Sequence, residues 1–429
     1  MRYCIKEGTI IDPAGGYVGA GDILIEDDKV VAVDKDINCE DVQIIQAKGK
    51  LVFPGLIDLH CHLREPGRED EETIASGTKA ALKGGFTAVT AMANTNPPAD
   101  TGVAIEYVLN RAKAAGFAKV YPVGAVTKGL QGVELAEMGE MAAAGAVAFS
   151  DDGKTIVNAA VFRTALEYST LFDLPLLLHE EDPNLAGNGV MHEGYWSTVL
   201  GLPGIPSLAE DVMIARDLFL AEFTKAKVHF CHVSTKRSAA MIGVAKSKGL
   251  LVTAEATPHH FTLTDADLQD YNPNFRVSPP LRTGEDRDSI RKALQDGVID
   301  AIATDHAPHT LEEKHREFAL APTGMIGLET ALSLAWTELV LGGWLTKEQL
   351  VERMSVAPAR ILNKTGGCLI PGAPADLLIF DAEREWEVKA ADFYSKSKNS
   401  PFIGRKLKGK VETVWVNGVL KLEQGKFVE

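Results

Sequence analysis

Between residues 54 and 367 the chain repeats one pattern, a short apolar run followed by a longer amphipathic stretch. The runs are Leu56–His60, Thr87–Met92, Lys119–Gly124, Ala146–Phe149, Pro175–Leu178, Lys227–Cys231, Leu250–Ala254 and Ile299–Ala303. Each has the length of a strand, whereas Glu72–Lys83, Val103–Ala115, Ala159–Tyr168, Leu208–Phe223 and Arg237–Lys248 carry helical periodicity. Eight strand-then-helix units over roughly 310 residues predict an α/β fold, a (β/α)8 TIM-type barrel. An open doubly wound sheet competes with it, because alternation alone does not specify closure.

Both ends of the chain read differently. Thr9-Ile10-Ile11, Ile23-Leu24-Ile25 and Val30-Val31-Ala32-Val33 are short strands, with Asp27-Asp28 as a hairpin turn. Near the other end, Asp376–Phe380 has the pattern of a buried strand, and Thr413–Val416 meets Asn417-Gly418, a strong hairpin signal, before Val419-Leu420. These ends predict one small β-sandwich domain built from both termini, residues 1–53 plus 368–429, beside a catalytic barrel at 54–367.

Composition narrows the partners. The 45% apolar and 24% charged content is that of a globular protein, and no apolar stretch approaches the length of a membrane span. A net charge of -15 repels phosphate backbones, so neither nucleic acid nor membrane is an expected partner. The start of the chain does not read as a secretory signal. Cys4, Cys39, Cys61, Cys231 and Cys368 are odd in number and scattered, which points to a reducing cytoplasm and away from a disulfide framework.

In a barrel the chemistry belongs where strands end. The first run closes on His60 and His62 with Arg64 behind them, the second is followed by Asn94, and the fourth by Asp151 and Asp152. His179, His232, Glu255 and Asp305-His306 follow the later runs. In an extended strand His60 and His62 share one face and Cys61 takes the other, so two imidazoles converge on one point, as a zinc ion requires. Four histidines, Asp305 and one aspartate of the Asp151-Asp152 pair make six ligands, too many for one catalytic zinc and enough for two. Two ions ~3.5–4 Å apart ionise a shared water and polarise a carbonyl, so the implied reaction is attack on an amide-like carbon, or its reverse. Asp305 is placed to accept the proton and pass it to the leaving nitrogen.

The run Gly55–Gly67 resembles the dihydroorotase signature of the amidohydrolase superfamily. So do Phe149–Gly153, His232-Val233-Ser234-Thr235, Glu255–His260 and Ala303–His309, and the likeness extends almost end to end through Gly327–Thr330, Ala357–Ala359 and Pro374–Leu377. The resemblance implies that His60, His62 and Asp305 hold one zinc, that His179 and His232 hold a second, and that Asp152 bridges the two together with a water or hydroxide. Many superfamily relatives bridge with a carboxylated lysine; here Ser150-Asp151-Asp152-Gly153 stands at that place, as in the long-chain, class I type. The implied reaction is the reversible cyclisation of N-carbamoyl-L-aspartate to L-dihydroorotate in de novo pyrimidine biosynthesis. A guanidinium fork suits the substrate carboxylate, which makes Arg64 its expected partner, with Asn94 and His309 completing the grip.

Two positions depart from the family pattern. Ser278 stands where an asparagine is usual before Pro279-Pro280-Leu281-Arg282, and Ala93 replaces a proline before Asn94. Serine reaches less far and has no amide, so Ser278 weakens or waters a ring contact. His229, three residues before His232, is expected to face away from the site in a structural role, and Cys231 to sit on the alternation opposite the ligands as a small buried hydrophobe; His259, His260 and His306 are expected in loop or supporting roles. The polar segment Thr310–Phe318 is either a lid or a solvated loop. Alternatives to the leading function are a hydantoinase-like or allantoinase-like amidohydrolase, and a non-catalytic barrel that scaffolds aspartate transcarbamoylase. A homodimer or an association with that enzyme is the expected assembly.

Overall fold

Closure, which the sequence left open, is decided where the first and last barrel strands meet. The computed structural model describes residues 2–428. In it Leu56–Cys61, Phe86–Ala91, Lys119–Gly124, Ala148–Phe149, Leu176–Leu178, Val228–Phe230, Val252–Ala256 and Ala301–Ile302 pair in parallel in that order. Cys61 then bridges to His306 in parallel, and the His62 amide donates to the His306 carbonyl at 2.9 Å. The buried Asp58 carboxylate secures the same seam, accepting from the Thr304 amide at 2.8 Å and its hydroxyl at 2.6 Å. These contacts make a ring of eight strands, the TIM-type barrel rather than the open sheet.

The helices lie between the strands as the periodicity predicts: Ile74–Lys83, Gly102–Ala115, Ala159–Ser169, Leu208–Thr224 and Lys236–Ser247. Thr73, Thr101 and Thr235 cap three of them by accepting from a backbone amide of the first turn. An apolar cluster that includes Leu56, Ile74, Phe86, Phe149 and Phe230 fills the space between strands and helices, and a second, including Ile57, Leu59, Leu177 and Ala301, fills the barrel. No helix of the described residues is long and apolar enough to cross a membrane.

The two ends of the chain form one nine-stranded sheet. Leu51–Pro54 sits at its seam, parallel to Arg2–Asp12 and antiparallel to Leu377–Glu387. At the hairpin after Lys406–Val416, Asn417 and Gly418 take φ of 47° and 70°, as the turn type that matches strand twist demands. Cys4 and Cys39 differ from expectation. Strand Arg2–Asp12 and the segment after Lys29–Asp34 bring their Cα atoms to 6.3 Å, and the two are disulfide-bonded. Spacing along the chain carried no sign of this pairing, because it depends on how the sheet folds back.

Candidate metal centre

The centre lies at the carboxyl-terminal mouth of the barrel and is organised around Asp152. Its Oδ1 stands 3.3 Å from His60 Nε2, 3.7 Å from His232 Nε2 and 3.8 Å from His179 Nδ1; its Oδ2 stands 3.5 Å from His62 Nε2. Asp305 Oδ1 adds contacts of 3.2 Å to His62 Nε2 and 3.5 Å to His60 Nε2. All six residues named as ligands from the sequence therefore converge. Asp151 does not join them. Its carboxylate accepts from the Val126 and Thr127 amides at 2.8 and 3.0 Å and from the Thr127 hydroxyl, which ties the fourth strand end to the third.

Backbone geometry presents these side chains. His232 and Asp305 take φ of 33° and 46°, and Arg64 takes 60°, a region that costs a non-glycine residue energy and persists where surroundings enforce it. The turn at His232 also changes the facing of its neighbours. Cys231, expected to point away, has its sulfur within 4.8 Å of ligand atoms of His60 and Glu255 while packing in the apolar cluster inside the barrel. His229, expected on the far face, reaches Glu255 Oε2 with its Nε2 at 3.0 Å and Thr253 Oγ1 with its Nδ1 at 2.8 Å. Strict alternation ends at Phe230, the last strand residue, so counting in twos beyond it misplaces both.

Glu255 carries the outer layer of the centre. Its Oε1 accepts from His60 Nδ1 at 3.0 Å while Oε2 accepts from His229. That bond fixes the His60 tautomer and turns the Nε2 lone pair inward. Although burial opposes it, hydrogen bonds from His229 and His60 hold the Glu255 carboxyl down at about 2. Asn94 does the same for the second histidine: its Oδ1 accepts from His62 Nδ1 at 2.9 Å, and its amide nitrogen donates to the Asp152 carbonyl at 3.3 Å.

The donor set fits divalent cations. Three-residue groups His60–His62–Asp305 and His60–Asp152–His232 each bring one ligand atom per residue within 4.8 Å of one another, all buried. His60 Nε2 and Asp152 Oδ1 are buried without a hydrogen-bond partner, a costly arrangement unless a cation takes the free lone pairs. The electrostatics agree. Burial raises the pKa of Asp152, but the positive field of the adjoining His60 and His62 wins and holds it well below the carboxylate range. Burial likewise disfavours a charged His60, yet the Asp152 and Asp305 carboxylates push its pKa well above the ordinary value, so the site favours positive charge where His60 Nε2 meets them; a bound cation would take that proton's place and leave His60 a neutral ligand. His179, desolvated and facing His232, falls to about 4 and so stays neutral, as a ligand must.

A cavity of about 530 Å³ opens above these residues, lined also by Arg64, Asn94, Ser278 and His309. Arg64 Nε donates to the Pro308 carbonyl at 3.1 Å and pairs with Glu71 Oε2 at 3.1 Å; its Nη2 lies 3.4 Å from His309 Nε2. Glu71 also takes His309 Nδ1 at 2.8 Å, so one buried carboxylate holds both. His309 Nε2 faces the Thr323 carbonyl at 2.8 Å. Ser278 Oγ donates to Glu181 Oε2 at 3.4 Å, and both residues line the cavity. The segment Thr310–Phe318 is anchored: Thr310 caps the turn Leu311–Lys314, and the buried Lys314 donates to the Pro322 and Gly324 carbonyls, each at 2.9 Å.

With this geometry in view, the comparisons are decisive. A family profile described as Dihydro-orotase-like matches residues 49–238. The dihydroorotase of Pelotomaculum thermopropionicum is 52% identical over 412 residues, 95% of this chain and 96% of its own length. The chain belongs to the dihydroorotase family. Dihydroorotase of Acetivibrio thermocellus is 50% identical over 414 residues, covering 96% and 97% of the two chains. Among solved structures, the L-hydantoinase of Arthrobacter aurescens superposes with a TM-score of 0.89 at 27% identity, over 100% of this chain and 97% of its own. Dihydroorotases and hydantoinases are cyclic amidohydrolases, and this chain is an enzyme of that kind.

Proposed function

We propose that this dihydroorotase family member interconverts N-carbamoyl-L-aspartate and L-dihydroorotate in de novo pyrimidine biosynthesis, and that His60, His62, Asp152, His179, His232 and Asp305 are the residues that would hold two zinc ions. One observation carries the reading: a single carboxylate, Asp152, stands among four imidazoles, and the Arg64–His309 pair opens on the same cavity. Bound divalent ions supply Lewis acidity and lower the pKa of water. Everything else is the work of side chains. Arg64, whose Nε is committed to Pro308 and Glu71, takes the ring carboxylate with its Nη groups, and His309 and Asn94 border it. Ser278, which lines the same cavity, is a hydroxyl contact for the ring.

In ring opening, water oxygen bonds to the ring carbonyl carbon and the carbon–nitrogen bond breaks. Asp305 receives the water proton and delivers it to the departing nitrogen; ring closure runs the same path backwards. The division into a barrel at 54–367 and a β domain from 1–53 plus 368–429 is part of the proposal, as are a cytoplasmic location and a homodimer or a complex with aspartate transcarbamoylase. The test is turnover of dihydroorotate beside hydantoin, dihydrouracil and allantoin, with Asp305→Asn alongside. The proposal expects dihydroorotate to be strongly preferred and the variant to lose at least about 10²-fold in turnover. Preference for hydantoin or allantoin, or an unimpaired variant, contradicts it.

A further inference from the structure

The side of the cavity that carries Arg64 and His309 is held in place by a segment far away in sequence. Residues 393–400 leave the nine-stranded sheet between Leu377–Glu387 and Lys406–Val416 and run across the barrel mouth. The amides of Tyr394 and Ser395 donate to Glu329 at 2.8–3.1 Å, and the Ser395 hydroxyl and Lys396 amide bind Glu72. The Ser397 hydroxyl donates to the Glu71 carbonyl at 2.8 Å. Glu71 is the carboxylate that holds Arg64 and His309.

Asn399 finishes the strap. It is 4% exposed and uses every polar atom of its side chain on the loop that bears His309. Its Nδ2 donates to the Ala307 carbonyl at 2.9 Å and to the Gly324 carbonyl at 3.2 Å, while Oδ1 accepts from the His309 amide at 3.3 Å. Its own carbonyl accepts from the Ile326 amide at 3.0 Å. Side chain and backbone of Asn399 together thus fix two segments, 307–309 and 324–326, against each other. The approach is close: a Cβ on Gly324 would lie 3.1 Å from His309 Nε2. Neither Ala, with no polar atoms, nor Asp, with no donors, reproduces the set.

We propose that Asn399 is a positioning residue for substrate binding, acting through the His309 backbone, so that recognition of the substrate carboxylate depends on a strap outside the barrel. This rests on the reading of Arg64 and His309 as the carboxylate grip. The mechanism is preorganisation: a loop held in its binding geometry spends less free energy on ordering when the ligand arrives. No bond-making atom is touched by Asn399, so binding suffers and the chemical step does not.

Steady-state kinetics on the metal-loaded full chain test this. Asn399→Ala is expected to raise KM for dihydroorotate about tenfold, the loss of one or two buried hydrogen bonds, with kcat within about threefold of wild type. Asn399→Asp, nearly the same shape, retains the acceptor toward His309 and is expected to fall between; it also serves should the alanine variant fail to fold. Combined with His309→Ala, the Asn399→Ala change is expected to add little to KM, because its target is already gone. Unchanged KM in both Asn399 variants, or a fully additive double variant, overturns the proposal. Arg64→Ala separates the two levels: if it too leaves KM unchanged, the carboxylate grip itself is wrong; if it raises KM while both Asn399 variants do not, the strap proposal alone fails.

Discussion

His179 Nδ1 faces His232 Nε2 across 3.0 Å, on the side of Asp152 away from His62. Two imidazole nitrogens aimed at one point suit a cation that both ligate. His232→Ala is expected to halve the zinc content of the purified protein, with loss of at least about 10²-fold in turnover, since one ion of the proposed pair would lose a ligand. Elemental analysis beside activity checks it, and full zinc content contradicts the assignment.

Glu255 does not line the cavity above the centre, yet it orients His60 and binds His229. Glu255→Gln keeps the size but loses the carboxylate acceptor. Metal affinity is expected to fall about 10–100-fold, the usual cost of removing such an orienting partner. Competition with a chromophoric chelator measures it; wild-type affinity contradicts the role.

These two residues mark the limit of what could be read from the chain. His60, His62, His179, His232 and Asp305 were legible because strand ends in a barrel converge, so the pattern of apolar runs places them without any contact being known. Asp152 over Asp151 was implied by resemblance, and the contacts of Asp151 to Val126 and Thr127 supply its physical reason. Glu255 was legible as a strand-end acid and illegible as a partner of His60, since that bond depends on how the first and seventh strands lie around the ring. His229 and Cys231 were misplaced by the backbone turn at His232. Asn399 and the Cys4–Cys39 bond depend on long-range folding and leave no local pattern at all.

Glu329 anchors the strap from beneath. Burial, only partly offset by bonds from the Tyr394 and Ser395 amides, raises its pKa to about 7. A carboxyl raised on folding takes up a proton when the chain folds, so its contribution to stability is full below pH ~4.5 and is lost as pH rises to ~7. Glu329→Gln removes that slope. Thermal unfolding between those limits is expected to show wild type losing stability relative to the variant as pH rises; parallel curves contradict the shift.

Ser278 lines the cavity with a hydroxyl shared with Glu181. Restoring the asparagine usual in the family adds an amide donor and a longer reach. Ser278→Asn is expected to lower KM for dihydroorotate by about 2–10-fold, one added hydrogen bond, with kcat little changed. A higher KM contradicts Ser278 as the weak point of recognition.

The central claim is that the residues around Asp152 hold two ions that carry the cyclic amide chemistry. Its most direct test strips the protein with a chelator and titrates zinc back while dihydroorotate turnover and bound metal are read on the same sample. The account predicts no turnover without metal and full turnover at two ions per chain. Undiminished turnover in the stripped protein, or a fully loaded protein that turns over dihydroorotate in neither direction, contradicts it.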